Sequence, residues 1–211
     1  MTSSTSAETG KVVRDVLVEF VEVAIHSILY NRELYPQGAF EKRVKYNVPV
    51  QMCLHPDVCE YIGHLSESLL ALLSEGRVNK ISVVILHPDT QAPIERYVLE
   101  IGDLKNQWSE SDPYLLHTEQ ALRGFLLKLN ISDALLQPAP KEATWTVHVH
   151  TKASTLAAVE EQFILNDFPW AVAQEKEQNI QNAKLVPLRS MNTDMLNMQL
   201  YVEEENRHLS G

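Results

Sequence analysis

Little in this chain of 211 residues is suited to reactive or cross-linked chemistry. Its two cysteines, Cys53 and Cys59, are too few for a disulfide framework and leave no second pair for a zinc site. Glycine is scarce at seven residues, and no GxGxxG, P-loop, GxSxG or HExxH occurs. Close backbone approach to a phosphate and the common hydrolase and metalloprotease arrangements therefore have no support. Apolar runs such as Ile81 to Leu86 are strand-sized, far below the ~20 residues that a membrane-spanning helix needs. Positive charge is short as well: 18 Lys plus Arg stand against 28 Asp plus Glu, a formal net charge of −10. Bulk electrostatics gives no grip on nucleic acid, so any link to DNA is expected to run through a protein partner. Met1 to Gly10 has neither a basic nor an apolar segment of the secretory type, and a reducing compartment, cytosol or nucleus, is expected.

What is present is ordinary globular material, 45% hydrophobic and 22% charged, at a length that suits one domain or two small ones. Residues 1–9 read as a flexible tail. From Gly10 to Asn31, Val13, Val16, Leu17, Phe20, Val21, Ala24, Ile28 and Leu29 recur at helical spacing, and Val23 and Ile25 widen the apolar face. Such a helix is expected at the centre of the fold. Tyr35 to Gly38 has turn chemistry, and Lys42 to Val50 reads as an extended edge piece because of Pro49. Pro56 opens a second helix with Val58, Ile62, Leu65, Leu69 and Leu73 inward and Gly76 as its stop. Strands are expected over Ile81–Leu86, Arg96–Ile101 and Thr144–Thr151, the last with Trp145, Val147 and Val149 on one face and His148 and His150 on the other. Gly102 to Asp112 reads as a loop. Pro113 is expected to start a third helix, capped by Ser111 or Asp112 and packing through Leu115, Leu122, Phe125, Leu126 and Leu129. Extended pieces at Leu185–Leu188 and Met195–Val202 close a mixed final third that also holds Phe163 to Leu165 and Phe168 to Val172. Three helices with strands that do not alternate with them predict an α+β fold with an antiparallel sheet.

Candidate chemistry is thin. His148 and His150 form a potential metal pair without an evident third ligand, and a metal-dependent enzyme built on them is the weakest reading. His55, Asp57 and Cys59 read as a helix start beside a thiol, and His26 as a core histidine. Catalytic residues, cofactors and metal are expected to be absent. Aromatic residues make up only 7%, so their placement is informative. Tyr35, Tyr61 and Trp170 sit beside proline or at helix margins, where large amphipathic rings serve either as ordinary packing or as recognition anchors.

Four segments are more specific: Leu29 to Pro36, Lys45 to Met52, Asp167 to Trp170 and Met198 to Glu204. Together they resemble the HORMA-domain family, and within it the mitotic-arrest-deficient-like accessory subunits of DNA polymerase zeta, in one register from Val12 to Glu204. The resemblance implies three helices packed on a central antiparallel sheet over residues 10–204. Residues 10–151 would form the core, 152–204 a C-terminal safety belt that wraps a bound peptide, and 205–211 a flexible tail. It implies a non-catalytic adaptor in translesion synthesis, DNA repair and cell-cycle control, nuclear with some cytoplasmic presence. Tyr35, Tyr61 and Trp170 match the channel for a proline-containing peptide of the polymerase zeta catalytic subunit. Leu185, Gln199 and Tyr201 match the surface that docks the C-terminal domain of the translesion deoxycytidyl transferase. Arg123 matches a HORMA homodimer or heterodimer interface. Shieldin subunits and an AAA+ remodelling ATPase are further implied partners; direct nucleic-acid and membrane binding are not. The alternative is a spindle-checkpoint-type HORMA protein acting on mitotic regulators.

Overall fold

Helix α1, Thr2–Asn31, runs through the middle of the molecule. The structure is a computed structural model and describes residues 2–102, 115–151, 168–193 and 196–206. Leu17, Phe20, Val23, Ile25 and Leu29 on α1 are buried around most of its circumference, as the wide apolar face predicts. Full burial of each such side chain stabilises by roughly 1.5–3 kcal/mol. The helix begins at Thr2, not near Gly10, so residues 2–9 are helical where a tail was expected. No proline interrupts them, and extending a helix already nucleated costs far less than starting one.

Strands β1 (Phe40–Lys45) and β2 (Val48–Cys53) form a separate antiparallel hairpin. Tyr46 and Asn47, both at positive φ, make its two-residue turn. Pro49 pairs opposite Val44 in this two-stranded ribbon, consistent with the edge reading. Helix α2, Pro56–Ser74, has proline in its first turn and Asp57 at its positive end. Gly76 takes φ +66, and the N–H groups of Gly76 and Arg77 return to the carbonyls of Leu73 (3.0 Å) and Leu72 (3.2 Å).

The central sheet contains β3 (Val78–Leu86), β4 (Pro93–Ile101), β5 (Thr144–Thr151), β6 (Ala183–Asn192) and β7 (Asn197–Glu205). Its order is β5-β3-β4-β7-β6, and every pairing is antiparallel. Ile81, Val83, Tyr97, Leu99 and Leu200 on its inner face meet Phe20, Ala24 and Ile28 of α1, and Leu129 of a third helix. Helix α3 spans Leu116–Asn130. It starts later than expected: Leu115 has φ 55, which breaks helical continuity, and Pro113, Ser111 and Asp112 lie outside the described residues. A one-turn helix, α4 (Glu175–Gln178), crosses the outer face, where Arg96 Nη2 donates to the Glu177 carbonyl at 3.0 Å. Strand β7 continues to Glu205, past the expected end of the domain.

One buried polar network fastens the parts together. Arg32, at the end of α1, pairs with Glu95 of β4 at 2.8 Å, both side chains 1% exposed. It also donates to Asp133 and, at 2.5 Å, to the Gln137 carbonyl, while the Gln137 N–H donates to Glu204 of β7. Two adjacent carboxylates and a carbonyl therefore surround one guanidinium, the arrangement that lets a charge stay buried.

Candidate functional site

Tyr35, Tyr61 and Trp170 are far apart in sequence, yet the fold links them through two further aromatic residues. Trp145, the second residue of β5, donates its indole N–H to the Tyr35 hydroxyl at 3.0 Å. The Tyr61 ring stands edge-on to Trp145, with centroids 5.4 Å apart and planes at 85°. Tyr61 also meets Phe168 at 5.6 Å, and Phe168 meets Trp170 at 4.7 Å. Trp170 donates its indole N–H to Ser68 Oγ at 2.7 Å. Ser68 follows Tyr61 by two turns of α2, so both lie on one stripe of that helix. Tyr61 remains 36% exposed, and Trp170 is half-buried. Burial raises the Tyr61 pKa, so its phenol stays protonated at neutral pH.

This cluster sits at one end of an edge strand. Among the described residues, no strand pairs with the outer side of β5. An open edge of this kind offers a row of backbone donors and acceptors to an extended chain. Phe168 lies against Tyr61, which meets Trp145 at one end of β5, whereas Thr151 stands at the opposite end. Nothing in the sequence marks Trp145 or Phe168 as a site residue by itself. The alternation in Thr144–Thr151 places Trp145 on the inner face, but nothing local shows that this strand lies at an edge.

Leu185, Gln199 and Tyr201 form a second group on the outer face at the opposite side of the sheet. In the β6–β7 register, Leu185 pairs with Glu203, Pro187 with Tyr201 and Ser190 with Gln199, which puts all three on one face. Leu185 is 58% exposed on the outermost strand. The Tyr201 hydroxyl donates to Glu100 Oε1 at 3.0 Å, and Lys80 Nζ reaches the same oxygen at 2.5 Å. The hydrogen bond from Lys80 lowers the Glu100 pKa, while partial burial and Glu100 raise that of Tyr201. The patch thus combines an apolar anchor, an amide and an oriented phenol.

Arg123 is exposed on the outer side of α3, on the same side as the exposed Leu116 and Leu127. The next residue, Gly124, leaves the space occupied by the Arg189 guanidinium, and a Cβ there would collide with it. Arg189 also lies over the Phe125 ring at 5.9 Å.

The remaining candidates gather no chemistry. Among the described residues, no group of three or more His, Cys, Asp or Glu side chains could hold a metal ion. Cys59 is largely exposed and donates Sγ–H to the Cys53 carbonyl at 3.0 Å; partial desolvation of the thiol raises its pKa, the reverse of an activated thiolate. His26 is buried, and its Nδ1 accepts the Cys53 N–H at 3.2 Å, in line with a core role.

Comparison with known proteins adds four results. The sequence model of the HORMA domain matches residues 14–196. The chain is 44% identical over 201 residues to "Mitotic spindle assembly checkpoint protein MAD2B" of Danio rerio, covering 95% of each. It is 34% identical over 197 residues to "DNA polymerase zeta processivity subunit" of Arabidopsis thaliana, covering 93% of this chain and 87% of that one. In fold it is similar to a chain of the solved Mitotic Checkpoint Complex, with a TM-score of 0.77 at 19% identity over 92% of this chain and 98% of that chain.

Proposed function

This chain belongs to the HORMA-domain family, and from that premise we propose that it is a non-catalytic adaptor that captures an extended, proline-containing peptide along the edge of β5. The observation that carries this reading is the open edge ending in the linked rings of Tyr35, Trp145, Tyr61, Phe168 and Trp170. Main-chain hydrogen bonds to β5 supply affinity without regard to sequence, and the rings select proline, whose fixed backbone lowers the ordering cost. Residues 152–204 act as the safety belt. Closing a segment of that length over a peptide costs only logarithmically more than closing a short loop. Enclosure makes escape slow, so affinity is expressed mainly in the off-rate.

The bound peptide is assigned to the catalytic subunit of DNA polymerase zeta, a reading supported by the name of the Arabidopsis relative. Leu185, Gln199 and Tyr201 dock the C-terminal domain of the translesion deoxycytidyl transferase, so the chain bridges polymerase and scaffold in translesion synthesis within the nucleus. Arg123 belongs to a dimerisation surface with a second HORMA chain. Shieldin-type end protection and remodelling by an AAA+ ATPase belong to the same proposal. A spindle-checkpoint role is the second reading, favoured by the name of the zebrafish relative.

The test is binding of a labelled proline-containing peptide from the polymerase catalytic subunit, with association and dissociation followed separately for wild type and Trp170→Ala. Slow dissociation that accelerates at least tenfold in the variant supports the adaptor reading. Failure of well-folded wild type to bind that peptide, with binding of mitotic-regulator peptides instead, would move the assignment to the checkpoint reading.

A further inference from the structure

The edge of β5 has a second character, one that the aromatic cluster does not use. His148 and His150 lie three and five residues along the strand from Trp145 and project from its outer face. His150 is exposed and His148 half-buried, and among the described residues neither imidazole has a hydrogen-bond partner. Their neighbours on the face include two cations and the carboxylates that pair with them. Lys80 of β3 pairs directly opposite His150 in register, and Arg96 of β4 lies one strand further in. Both cations are already engaged: Lys80 with Glu100 at 2.5 Å, and Arg96 with Glu203 at 3.1 Å and the Glu177 carbonyl at 3.0 Å.

We infer that His148 and His150 form an anion-selective subsite of the β5 edge, which favours a partner peptide carrying Asp or Glu on the side opposite its proline. The inference rests on strand addition at β5. A strand laid on this edge alternates its side chains between the inner face, where the rings lie, and the outer face, where the two histidines lie. An outward carboxylate then meets two imidazoles that have no hydrogen-bond partner among the described residues, with the ion-paired Lys80 and Arg96 behind them.

The charges around the pair give the interaction a pH dependence of definite sign. Burial lowers the pKa of both imidazoles; Arg96 and the neighbouring His150 lower His148 further, as Arg96 and Lys80 do for His150, against opposing pulls from Glu177 and Glu203 respectively. The empty edge is therefore neutral at these positions near pH 7. A carboxylate placed beside them favours the protonated form, so binding takes up protons and tightens as pH falls.

The experiment uses the full chain and the labelled proline-containing peptide, with a single Asp or Asn walked through successive positions. Affinities are measured at pH 8.0 and 6.0 for wild type and H148Q/H150Q, and circular dichroism checks the fold of each. Wild type is expected to bind Asp peptides about three- to fivefold more tightly than their Asn counterparts at pH 6.0, at alternate positions only, with the difference shrinking at pH 8.0. In H148Q/H150Q the Asp and Asn peptides should bind alike. An Asp preference that persists in the variant, lacks the two-residue period or does not change with pH would overturn the subsite while leaving peptide capture standing. No binding of any peptide by folded wild type would overturn capture at β5 and the subsite with it.

Discussion

The two edges of the central sheet are built from the same kind of strand and present opposite faces to a partner. Strand β5 has no proline, and its register shift falls only at the far end, between Val78 and Lys80 of its neighbour. Strand β6 carries Pro187, and its pairing with β7 shifts between Pro187 and Arg189. Proline and a bulge are standard ways to blunt an edge against further strand pairing. The β5 edge is thus fit to recognise main chain, and under the proposed function the β6 side recognises its partner through exposed side chains, Leu185 foremost among them. Under that proposal one sheet serves two partners, because its edges do not compete for the same kind of contact.

The largest perturbation should erase the difference between the edges. Arg32→Ala removes the cation between Glu95, Asp133 and the Gln137 carbonyl and leaves buried carboxylate uncompensated. A loss of about 3–5 kcal/mol is expected in denaturant unfolding, with both partners lost together. Acid should do the same more gradually. The His26 pKa is lowered to about 4 by burial and by Arg43, against about 6.5 in an unfolded chain. Its contribution is complete above pH 6.5 and is lost progressively between pH 6.5 and 4. It amounts to about 3 kcal/mol, to be read from denaturant unfolding as a function of pH and compared with His26→Asn.

Substitutions at one edge should separate the two. Tyr61→Ala and Trp170→Ala are each expected to weaken peptide capture by about 2–3 kcal/mol while scaffold binding persists, as calorimetry with the two partners would show. If both variants bind peptide as wild type does, the aromatic assignment is wrong. Leu185→Ala and Tyr201→Ala should cost the scaffold domain about 1–2 kcal/mol each and leave the peptide unaffected. Joint loss of both partners from well-folded protein would contradict the separation of the edges.

Much of the frame was legible from residue pattern. The alternation in Thr144–Thr151 locates β5 to its observed ends, and Pro56 and Gly76 bracket α2 because each has a backbone preference of its own. The start of α1 was not legible, since a Ser- and Thr-rich segment carries no apolar period and is helical only by continuation from Lys11 onward. Arg32 stands in a motif that marks the resemblance, but its partners Glu95, Asp133 and Gln137 are remote in sequence. The candidate site shows the same limit. Tyr35, Tyr61 and Trp170 could be named, whereas Trp145 and Phe168, the rings that join them, depend on a strand order that no local pattern records.

The most direct test of the two-edge account is amide hydrogen exchange of the full chain, with and without the saturating proline-containing peptide. Added main-chain hydrogen bonds should slow exchange at alternate residues of Thr144–Thr151 and leave Ala183–Asn192 unchanged. Protection that arises along β6, or bound peptide without new protection in β5, would contradict it.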